Sequence, residues 1–401
     1  MSSLLVLTNW GYNDPLIQSY TLPYLNIIQK NNPSARIFLL TLESKKDYQI
    51  KNISGIFIIP YRYYHFGLRA SIQWVYIMIS LLLKIFTKNI RVIHCMGTPA
   101  GLIGYILSFT TGRKLIVDSF EPHAEAMVEN GTWKKNNLAY RILFLFEKLQ
   151  ARKAFAVIAA TQSMKEYSEN KYKTSIKNFF YKPACINFDF FCPRSISQTM
   201  LNKYNINTNS IVCIYAGKIG GIYLKDEIFD FIDMCYKYWG DRFKIIFLPS
   251  NSTEEEISAL LKKKRIPQNI CFIENTTHSN IPDYLNIADF ALNPVKPVPS
   301  KKYCTSLKDG EYWAMGLPIV ITKDISDDSR IIKDNDIGAV LNSLDSSSYA
   351  YAIKKIDSLL KSINKTDLKN KIRNIGLLYR NFSIAEKVYS EIYNKNNLLS
   401  K

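Results

Sequence analysis

Short runs of β-branched and apolar residues alternate with helical patterns along this chain, and this alternation limits the folds it can adopt. Each run is continuously apolar, which is the pattern of strands in a parallel sheet covered by helices on both faces. In the first half the runs lie at residues 3–8, 36–41, 55–60, 91–95, 114–118 and 155–160. Helical patterns separate most of them, near residues 15–31, 66–87, 98–110 and 134–153. The first half therefore predicts a doubly wound α/β domain.

The second half repeats this rhythm after an irregular, proline-containing stretch, "YKPACINFDFFCPRSISQ". Its apolar runs lie at residues 210–217, 243–250, 270–274, 289–294, 317–322 and 337–341. Helical patterns fill the gaps, around residues 224–239, 252–264, 280–287, 306–315 and 346–362. With 401 residues, the chain is long enough for two domains of about 200 residues each.

The predicted organisation is a Rossmann-like domain over residues 1–192, a second over residues 193–380, and a C-terminal helix. That helix, residues 381–401, is expected to pack back toward the first domain. Two such domains would face each other across a cleft, where ligands bind at the carboxyl ends of the strands.

The chain is strongly basic, with 52 Lys and Arg against 34 Asp and Glu, for a net charge of +18. Such a surplus attracts polyanions, whether nucleic acids, an anionic membrane face or phosphorylated small molecules. A lysine-rich surface that only maintains solubility accounts for it equally well. No zinc finger, RNP-like strand or basic–aromatic repeat occurs, so we do not expect a nucleic-acid partner.

Seven cysteines are scattered without a C-x-x-C pair, which is typical of a reducing compartment and predicts neither a disulfide framework nor a zinc site. The N-terminal "MSSLLVLTNWGYNDP" is better interpreted as a first strand than as a signal peptide. We therefore expect a cytoplasmic protein.

Residues 70–86 form the most apolar segment, 17 residues with Lys84 as their only charge. A spanning helix needs about 20 apolar residues, so a true span is not expected. One interpretation is a buried core helix. The other is a helix that rests one face on the lipid headgroups of the inner membrane face, because basic and aromatic residues surround it. Those neighbours are Arg62, Arg69, Lys88, Arg91, Tyr61, Tyr63, Tyr64 and Trp74.

The stretch "TSLKDGEYWAMGLPIVIT", residues 305–322, places charged residues at the start of a short helix. The free N–H groups of a helix N-terminus bind anions, and Lys308 would add a positive charge. Glu311 would repel a phosphate, unless it accepts hydrogen bonds from the vicinal hydroxyls of a ribose. The alternative is that Lys308 and Glu311 form an exposed helix pair worth about 0.2–0.5 kcal/mol.

The same segment resembles the donor-binding segment of family 4 glycosyltransferases, which have the GT-B fold. The family pattern there is P-x-K-x-x-E-Y-x-A-x-G-x-P-V-V, followed by a glycine before the last strand. Ser306 replaces the pattern's proline. The matching residues are Lys308, Glu311, Tyr312, Ala314, Gly316, Pro318 and Gly338.

Three further segments carry the resemblance: "YAGKIGGIYLKDEIFDFI", "KLIVDSFEPHAEAMVENGTW" and the interdomain "YKPACINFDFF". On the donor side, the resemblance implies that Lys218 meets the diphosphate, with Lys225 as a possible second cation. It implies that Glu311 holds the nucleotide ribose and that amides around Ser306 and Leu307 help to hold the diphosphate.

On the other side of the expected cleft, the resemblance implies that His123 reaches the sugar and the acceptor. Asp118 and Glu121 are acids that could orient the acceptor hydroxyl or take its proton. Gly11, in "NWGYNDP", lies where the family's first loop approaches the diphosphate, although an ordinary turn would also explain this glycine.

Two features bear on the reaction. Many family members carry a second glutamate eight positions before the one that matches Glu311, and this chain has Tyr303 there, which leaves the sugar contacts unassigned. The "DND" at residues 334–336 formally fits a metal-binding triplet but lies in a polar turn, and no histidine cluster accompanies it. We therefore expect no metal and no other cofactor.

Together these features predict a metal-independent, retaining glycosyltransferase, most simply a hexosyltransferase. It would move a sugar from a nucleotide diphosphate to a glycan or lipid-linked acceptor in bacterial surface polysaccharide assembly. Peripheral attachment to an anionic membrane surface is part of this hypothesis. Two alternatives stay open: a nucleotide-sugar epimerase of the same fold, and a non-catalytic partner subunit.

Overall fold

The computed structural model describes residues 2–44, 53–64, 67–250, 252–362 and 364–399. The chain forms two compact units. The first unit combines Met1–Pro183 with Phe382–Lys401, and the second is Ala184–Asn381. The change of unit at residue 183 lies nine residues before the position predicted from the sequence, and the C-terminal segment belongs to the first unit.

The first unit contains a parallel sheet of seven strands in the order β3-β2-β1-β4-β5-β6-β7. Because β1 lies between β2 and β4, the strand order reverses beside β1, and the loops after β1 and β4 diverge there. The strands are β1 (Ser3–Leu7), β2 (Arg36–Glu43), β3 (Ile56–Arg62), β4 (Ile90–Met96), β5 (Lys114–Phe120), β6 (Ala156–Ala159) and β7 (Phe179–Tyr181).

Helices connect these strands. They are α1 (Leu22–Asn31), α2 (Leu68–Thr87), α3 (Thr98–Thr111), α4 (His123–Glu129), α5 (Leu138–Lys153) and α6 (Met164–Tyr167). Wider π-type turns occur at Ile17–Thr21, Ser168–Tyr172 and Ser390–Asn394.

The second unit contains a parallel sheet of six strands in the order β10-β9-β8-β11-β12-β13. The strand order reverses between β8 and β11, which places the loops that follow these two strands at the expected ligand-binding edge. The strands are β8 (Ile211–Gly217), β9 (Phe243–Pro249), β10 (Cys271–Ile273), β11 (Phe290–Asn293), β12 (Ile319–Thr322) and β13 (Gly338–Leu341).

Helices of the second unit cover both faces of its sheet, with one core around Trp313 and Ile214 and the other around Phe247 and Trp239. The helices are α7 (Gln198–Lys203), α8 (Asp226–Trp239), α9 (Glu254–Lys263), α10 (Ile281–Asn286), α11 (Leu307–Ala314), α12 (Asp328–Asn335), α13 (Ser346–Ser362) and α14 (Lys365–Arg380). The last helix of the chain, α15 (Phe382–Tyr389), belongs to the first unit.

The twelve apolar runs identified in the sequence are all strands, which confirms the α/β prediction. The sequence patterns did not predict the short strand β7 or the helices α4, α6, α7, α12 and α14, whereas α15 lies within the C-terminal helix expected at residues 381–401. Of the triplet at residues 334–336, the first two residues end helix α12, and Asp336 forms the turn before β13. The Asp336 carboxylate forms an ion pair with Lys355 at 2.5 Å.

The first interpretation of the apolar segment, a buried core helix, is wrong. Helix α2 buries only the face that carries Ile77, Leu81 and Ile85. It packs that face against β4 and α3 and leaves large apolar side chains in solvent on the opposite face. Of the helices in the described residues, α2 alone is long and apolar enough to cross a membrane, by length and composition.

Candidate functional site

The residues predicted from the sequence divide between the two units. Lys218, Lys225, Ser306, Leu307, Lys308 and Glu311 lie in the second unit, and Gly11, Asp118, Glu121 and His123 lie in the first. Each group follows the carboxyl ends of strands in its own sheet.

In the second unit, a glycine-rich loop leaves the end of β8. Gly217, Gly220 and Gly221 have φ angles of 148°, 79° and 67°, which side-chain-bearing residues rarely adopt. The Tyr215 hydroxyl donates a hydrogen bond to the Lys218 carbonyl and holds the first turn of the loop. The Lys218 side chain is exposed, so its ammonium is accessible to a ligand in solvent.

The ammonium of Lys308 lies directly against this loop. A Cβ atom built on Gly217 would come within 2.2 Å of Lys308 Nζ, so only a glycine leaves room for it. Nζ is enclosed, 3.7 Å from the ring centroid of Tyr223 and 5.0 Å from that of Tyr215. It has no hydrogen-bond partner among the described residues, although Lys308 as a whole is only partly buried. Burial lowers the pKa of Lys308 to about 7, against the opposing effect of Asp309 and Glu311.

Helix α11, which carries Lys308, is fixed to the end of β8. Its Tyr312 hydroxyl accepts a hydrogen bond of 3.0 Å from the Ala216 N–H. Ser306 is the N-cap residue, but its side chain makes no capping bond. The helix ends at Ala314, and Gly316, with a φ of 74°, follows its C-cap residue. The first-turn amides and the Lys308 ammonium therefore lie at the same edge as the glycine-rich loop.

Glu311 is 8% exposed, and its Oε1 lies 3.4 Å from Nε2 of His278. The His278 ring stacks on Phe190 at 5.7 Å and meets Phe191 edge to face at 5.6 Å. The sequence analysis did not identify His278. The signal available was a histidine at the carboxyl end of a strand, which is too common to stand alone.

A buried polar network supports the first turn of α11. Asn293 donates a hydrogen bond of 2.7 Å to Asp309, and Arg380 pairs with Asp328. Burial first, and the neighbouring Asp328 second, raise the pKa of Asp309 well above its usual range. Asp309 is thus bound to Asn293, and no carboxylate of the described residues forms an ion pair with the Lys308 ammonium.

Lys225 lies apart from Lys308. It lines a cavity of about 110 Å³ together with Ile219, Ser252, Glu256, Ile257 and Leu260, and neither Lys308 nor Glu311 lines it. Tyr303, at the position of the family's second glutamate, ends a 3₁₀ turn at Pro299–Tyr303 and is partly buried.

In the first unit, Asp118 is fully buried at the end of β5. Its carboxylate lies 3.2 Å from Lys182 Nζ and 3.4 Å from His94 Nε2, and it accepts a hydrogen bond of 2.6 Å from Tyr389. Burial alone would raise its pKa, but Lys182, His94 and Tyr389 lower it far below the usual value. Since Tyr389 lies on α15, Asp118 holds the C-terminal helix in place, and Glu121 and His123 remain the acceptor-side candidates.

His123 is the first residue of α4, and its Nδ1 lies 3.1 Å from Oε1 of Glu121. Both side chains are about one-third exposed, so a ligand could reach them. The start of α4 is held by the buried Glu147, which accepts hydrogen bonds from the Ala124 N–H and the Tyr172 hydroxyl. Burial raises the pKa of Glu147 to about 7, although those hydrogen bonds lower it.

Gly11 lies in the loop after β1, where Glu43 packs against it. A Cβ atom at Gly11 would lie 2.9 Å from Oε2 of Glu43, whose Oε1 accepts a hydrogen bond from the Tyr12 N–H. The atoms nearest to such a Cβ are thus those of Glu43 and the Leu42 carbonyl oxygen, at 3.2 Å, and the approach of Gly11 to a diphosphate stays a prediction. In the described ranges, no group of three or more His, Cys, Asp or Glu could hold a metal ion.

The sequence matches no protein-family model and no curated protein. The structure matches solved structures along the whole chain. Sucrose-phosphate synthase from Thermosynechococcus elongatus has a TM-score of 0.78 at 12% identity, with 100% of each chain covered. Anabaena HepE in complex with UDP-glucose has a TM-score of 0.70 at 13% identity, covering 98% of this chain and 99% of its own.

WaaG, a glycosyltransferase involved in lipopolysaccharide biosynthesis, has a TM-score of 0.70 at 12% identity, covering 98% of this chain and 99% of its own. At such identities the likeness establishes the fold alone. The protein has the two-unit α/β architecture of the GT-B fold.

Proposed function

We propose that this protein is a family 4 glycosyltransferase that moves a hexose from a nucleotide diphosphate to an acceptor hydroxyl. The observation that carries the proposal is the enclosed Lys308 ammonium, which has no hydrogen-bond partner in the described chain and lies against Gly217. An enclosed cation without an anion is costly unless a ligand supplies one. Glu311 follows it by three residues on α11.

The donor is bound entirely by the second unit in this proposal. Lys308, Lys218 and the first-turn amides around Ser306 and Leu307 bind the diphosphate, since these groups lie at the edge where β8 ends. Glu311 accepts hydrogen bonds from the ribose hydroxyls, with His278 beside it. The UDP-glucose complex of HepE supports a uridine nucleotide as the first donor to test.

In the reaction, the bond between the anomeric carbon and the diphosphate oxygen breaks, and the acceptor oxygen bonds to that carbon as its proton passes to the Glu121 carboxylate. Negative charge grows on the departing diphosphate, where the ammonium groups of Lys218 and Lys308 stabilise it without a metal ion. His123 and Glu121 act on the sugar and acceptor side. We propose retention of the anomeric configuration, as the resemblance to family 4 implies.

The proposed setting is bacterial surface glycan assembly on the cytoplasmic side of the membrane, with a glycan or lipid-linked acceptor. The likeness to WaaG, which takes part in lipopolysaccharide biosynthesis, supports this setting.

A thermal-shift screen against UDP, GDP and their sugars tests the donor, and product analysis then separates three outcomes. Transfer to an acceptor or to water, unaffected by a chelator, supports the proposal. Isomerisation of the sugar without an acceptor would identify an epimerase. Binding without turnover would identify a non-catalytic subunit.

The proposed contact between Glu311 and the ribose hydroxyls has a test of its own. Glu311→Gln should weaken UDP binding by about 1–3 kcal/mol, the scale of a hydrogen bond to a charged group. The same variant should bind 2′-deoxy-UDP nearly as well as UDP, whereas the wild type should prefer UDP. Glu255→Gln, at an exposed position on α9, is the matched control. Retained discrimination in Glu311→Gln would remove Glu311 from this role.

A further inference from the structure

Helix α2 presents a continuous apolar stripe to solvent. Seven of the nineteen exposed large apolar side chains in the described residues lie on this helix, each 55–78% exposed. At about 100° per residue they fall within roughly 100° of the helix circumference, so they form one stripe. They are Leu68, Ile72, Val75, Tyr76, Ile79, Leu83 and Phe86.

The sequence around this helix lacks negative charge. Residues 48–117 contain eight Lys and Arg and no Asp or Glu. The whole chain has 34 acidic residues in 401, a frequency that would place about six in a 70-residue stretch. The apolar stripe is therefore combined with a charge of one sign only. The eight basic residues are Lys51, Arg62, Arg69, Lys84, Lys88, Arg91, Arg113 and Lys114.

Basic and aromatic groups lie near both ends of helix α2. Near its start, Arg62 lies 5.1 Å from the ring centroid of Tyr64, and both line a pocket with Trp74 and Ile77, beside the buried face of the helix. At its end, the guanidinium of Arg113 lies 5.9 Å from the ring centroid of Phe86. Aromatic and basic side chains together are typical of the boundary between lipid headgroups and acyl chains.

The neighbouring helix α3 packs against α2 and exposes an apolar ring of its own. Its Phe109 is 81% exposed and stacks on Tyr105 with ring centroids 6.4 Å apart.

We propose that α2 lies in the plane of an anionic bilayer surface, with its apolar stripe in the headgroup–acyl boundary and its basic flanks against the headgroups. Charge complementarity favours an anionic lipid surface as the partner of this stripe. A second copy of the chain would bring the same positive charge onto the patch and repel it. The helix does not span the bilayer, because Ile77, Leu81 and Ile85 pack against the first unit. This surface is independent of the donor site.

Co-sedimentation with phosphatidylcholine vesicles, with and without phosphatidylglycerol, tests the surface. We expect binding that needs the anionic lipid and falls as salt is raised, because salt screens the basic flanks. Replacing Arg62, Arg69 and Lys88 by alanine should weaken binding about 100-fold at low salt, at about fivefold per basic residue. The matched control replaces Lys262, Lys323 and Lys354, which are exposed in the second unit.

The apolar stripe has its own variant pair. Leu83→Ser should weaken binding to anionic vesicles about tenfold, since a leucine of 62% exposure no longer enters the lipid. Leu378→Ser, at 64% exposure in the second unit, should leave vesicle binding unchanged. Both side chains are exposed, so both variants should keep the thermal midpoint and the UDP response of the wild type.

Three results would overturn the proposal. The first is equal, negligible binding to neutral and anionic vesicles. The second is a dimer in solution that Leu83→Ser dissociates while vesicles bind nothing, which would assign the stripe to a second copy. The third is membrane association that resists both high salt and alkaline extraction, which is the behaviour of a spanning helix. If the protein binds the vesicles but does not bind UDP, the result contradicts the proposed function and leaves the proposed membrane surface standing.

Discussion

Each unit of this protein encloses the ammonium group of a lysine beside tyrosine rings, and the two lysines differ in whether the protein supplies a counter-ion. In the first unit, Lys182 Nζ lies 3.6 Å from the ring centroid of Tyr24 and 3.2 Å from a carboxylate oxygen of Asp118. In the second unit, Lys308 Nζ lies 3.7 Å from the ring centroid of Tyr223, and no carboxylate is in ion-pair contact with it in the described chain.

The difference separates a structural lysine from a binding lysine. A buried charge is stable when its counter-ion and hydrogen bonds come from the protein itself, as they do for Lys182. When the protein supplies only aromatic faces, the cation remains available to an anion from outside. We therefore expect changes at the first lysine to affect stability and changes at the second to affect ligand binding.

The largest effect on stability is expected from a change at Asp118, the counter-ion of Lys182. Asp118→Asn leaves the Lys182 ammonium buried without its counter-charge, which typically costs about 3–5 kcal/mol. Urea unfolding measures this loss. Asp233→Asn, which breaks the exposed pair with Lys237, should cost no more than about 1 kcal/mol. A loss of similar size in both variants would show that Asp118 is not a structural anion.

The pH dependence of stability follows from the same pair. The folded-state pKa of Asp118 lies below its unfolded value, so its contribution is present above the unfolded pKa of about 3.9 and is lost as the pH falls. In urea unfolding measured at a series of pH values, the wild type should therefore lose stability as the pH falls below about 4. The stability of Asp118→Asn should depend less on pH in this range.

Replacing each lysine by methionine should give opposite results. Lys182→Met strands the Asp118 carboxylate and should lower the unfolding midpoint. Lys308→Met removes an uncompensated cation, so the midpoint should stay or rise, while UDP affinity falls about 10–100-fold, as for a lost charged hydrogen bond. Calorimetry and unfolding on the two variants decide this. Destabilisation by Lys308→Met with unchanged UDP affinity would make Lys308 a second structural lysine.

The pH dependence of UDP binding should distinguish Lys308 further. Because burial lowers its pKa to about 7, the free protein loses this positive charge above neutral pH, and a bound diphosphate restores it. UDP affinity should fall about tenfold as the pH rises from about 7 to 8.5, with proton uptake on binding. Lys308→Met should remove both effects. A flat profile in the wild type would contradict the role of Lys308.

The smallest effect on binding is expected at Lys218, which is exposed. Lys218→Ala should weaken ground-state UDP binding by only about 0.2–1 kcal/mol, the range for solvated charge pairs. Turnover should fall further, because the charge on the leaving diphosphate grows in the transition state. A change confined to KM would show that Lys218 acts in ground-state binding alone.

The sequence by itself determined twelve of the thirteen strands of the described residues and their order along the chain. Continuous apolar runs such as residues 210–217 and 317–322 are short and rich in β-branched residues, which favours buried parallel strands, so their positions were predictable within two residues. The site's outline was predictable for the same reason, because Lys218 and Lys308 were expected at the edge where those strands end. Gly316 follows the end of α11, and its positive φ is a conformation that most other residues rarely adopt.

The tertiary structure alone decided which charges are enclosed and what they meet. In sequence, Lys182, Lys218 and Lys308 are the same residue type, and Asp118 resembles an acid at an open strand end. Their environments are set by residues far away in the chain, such as Tyr389 for Asp118 and Gly217 for Lys308. The same holds for α2, whose apolar composition fits a core or a surface. Which of its faces finds a partner depends on how β4 and α3 pack, and one-dimensional periodicity does not contain that information.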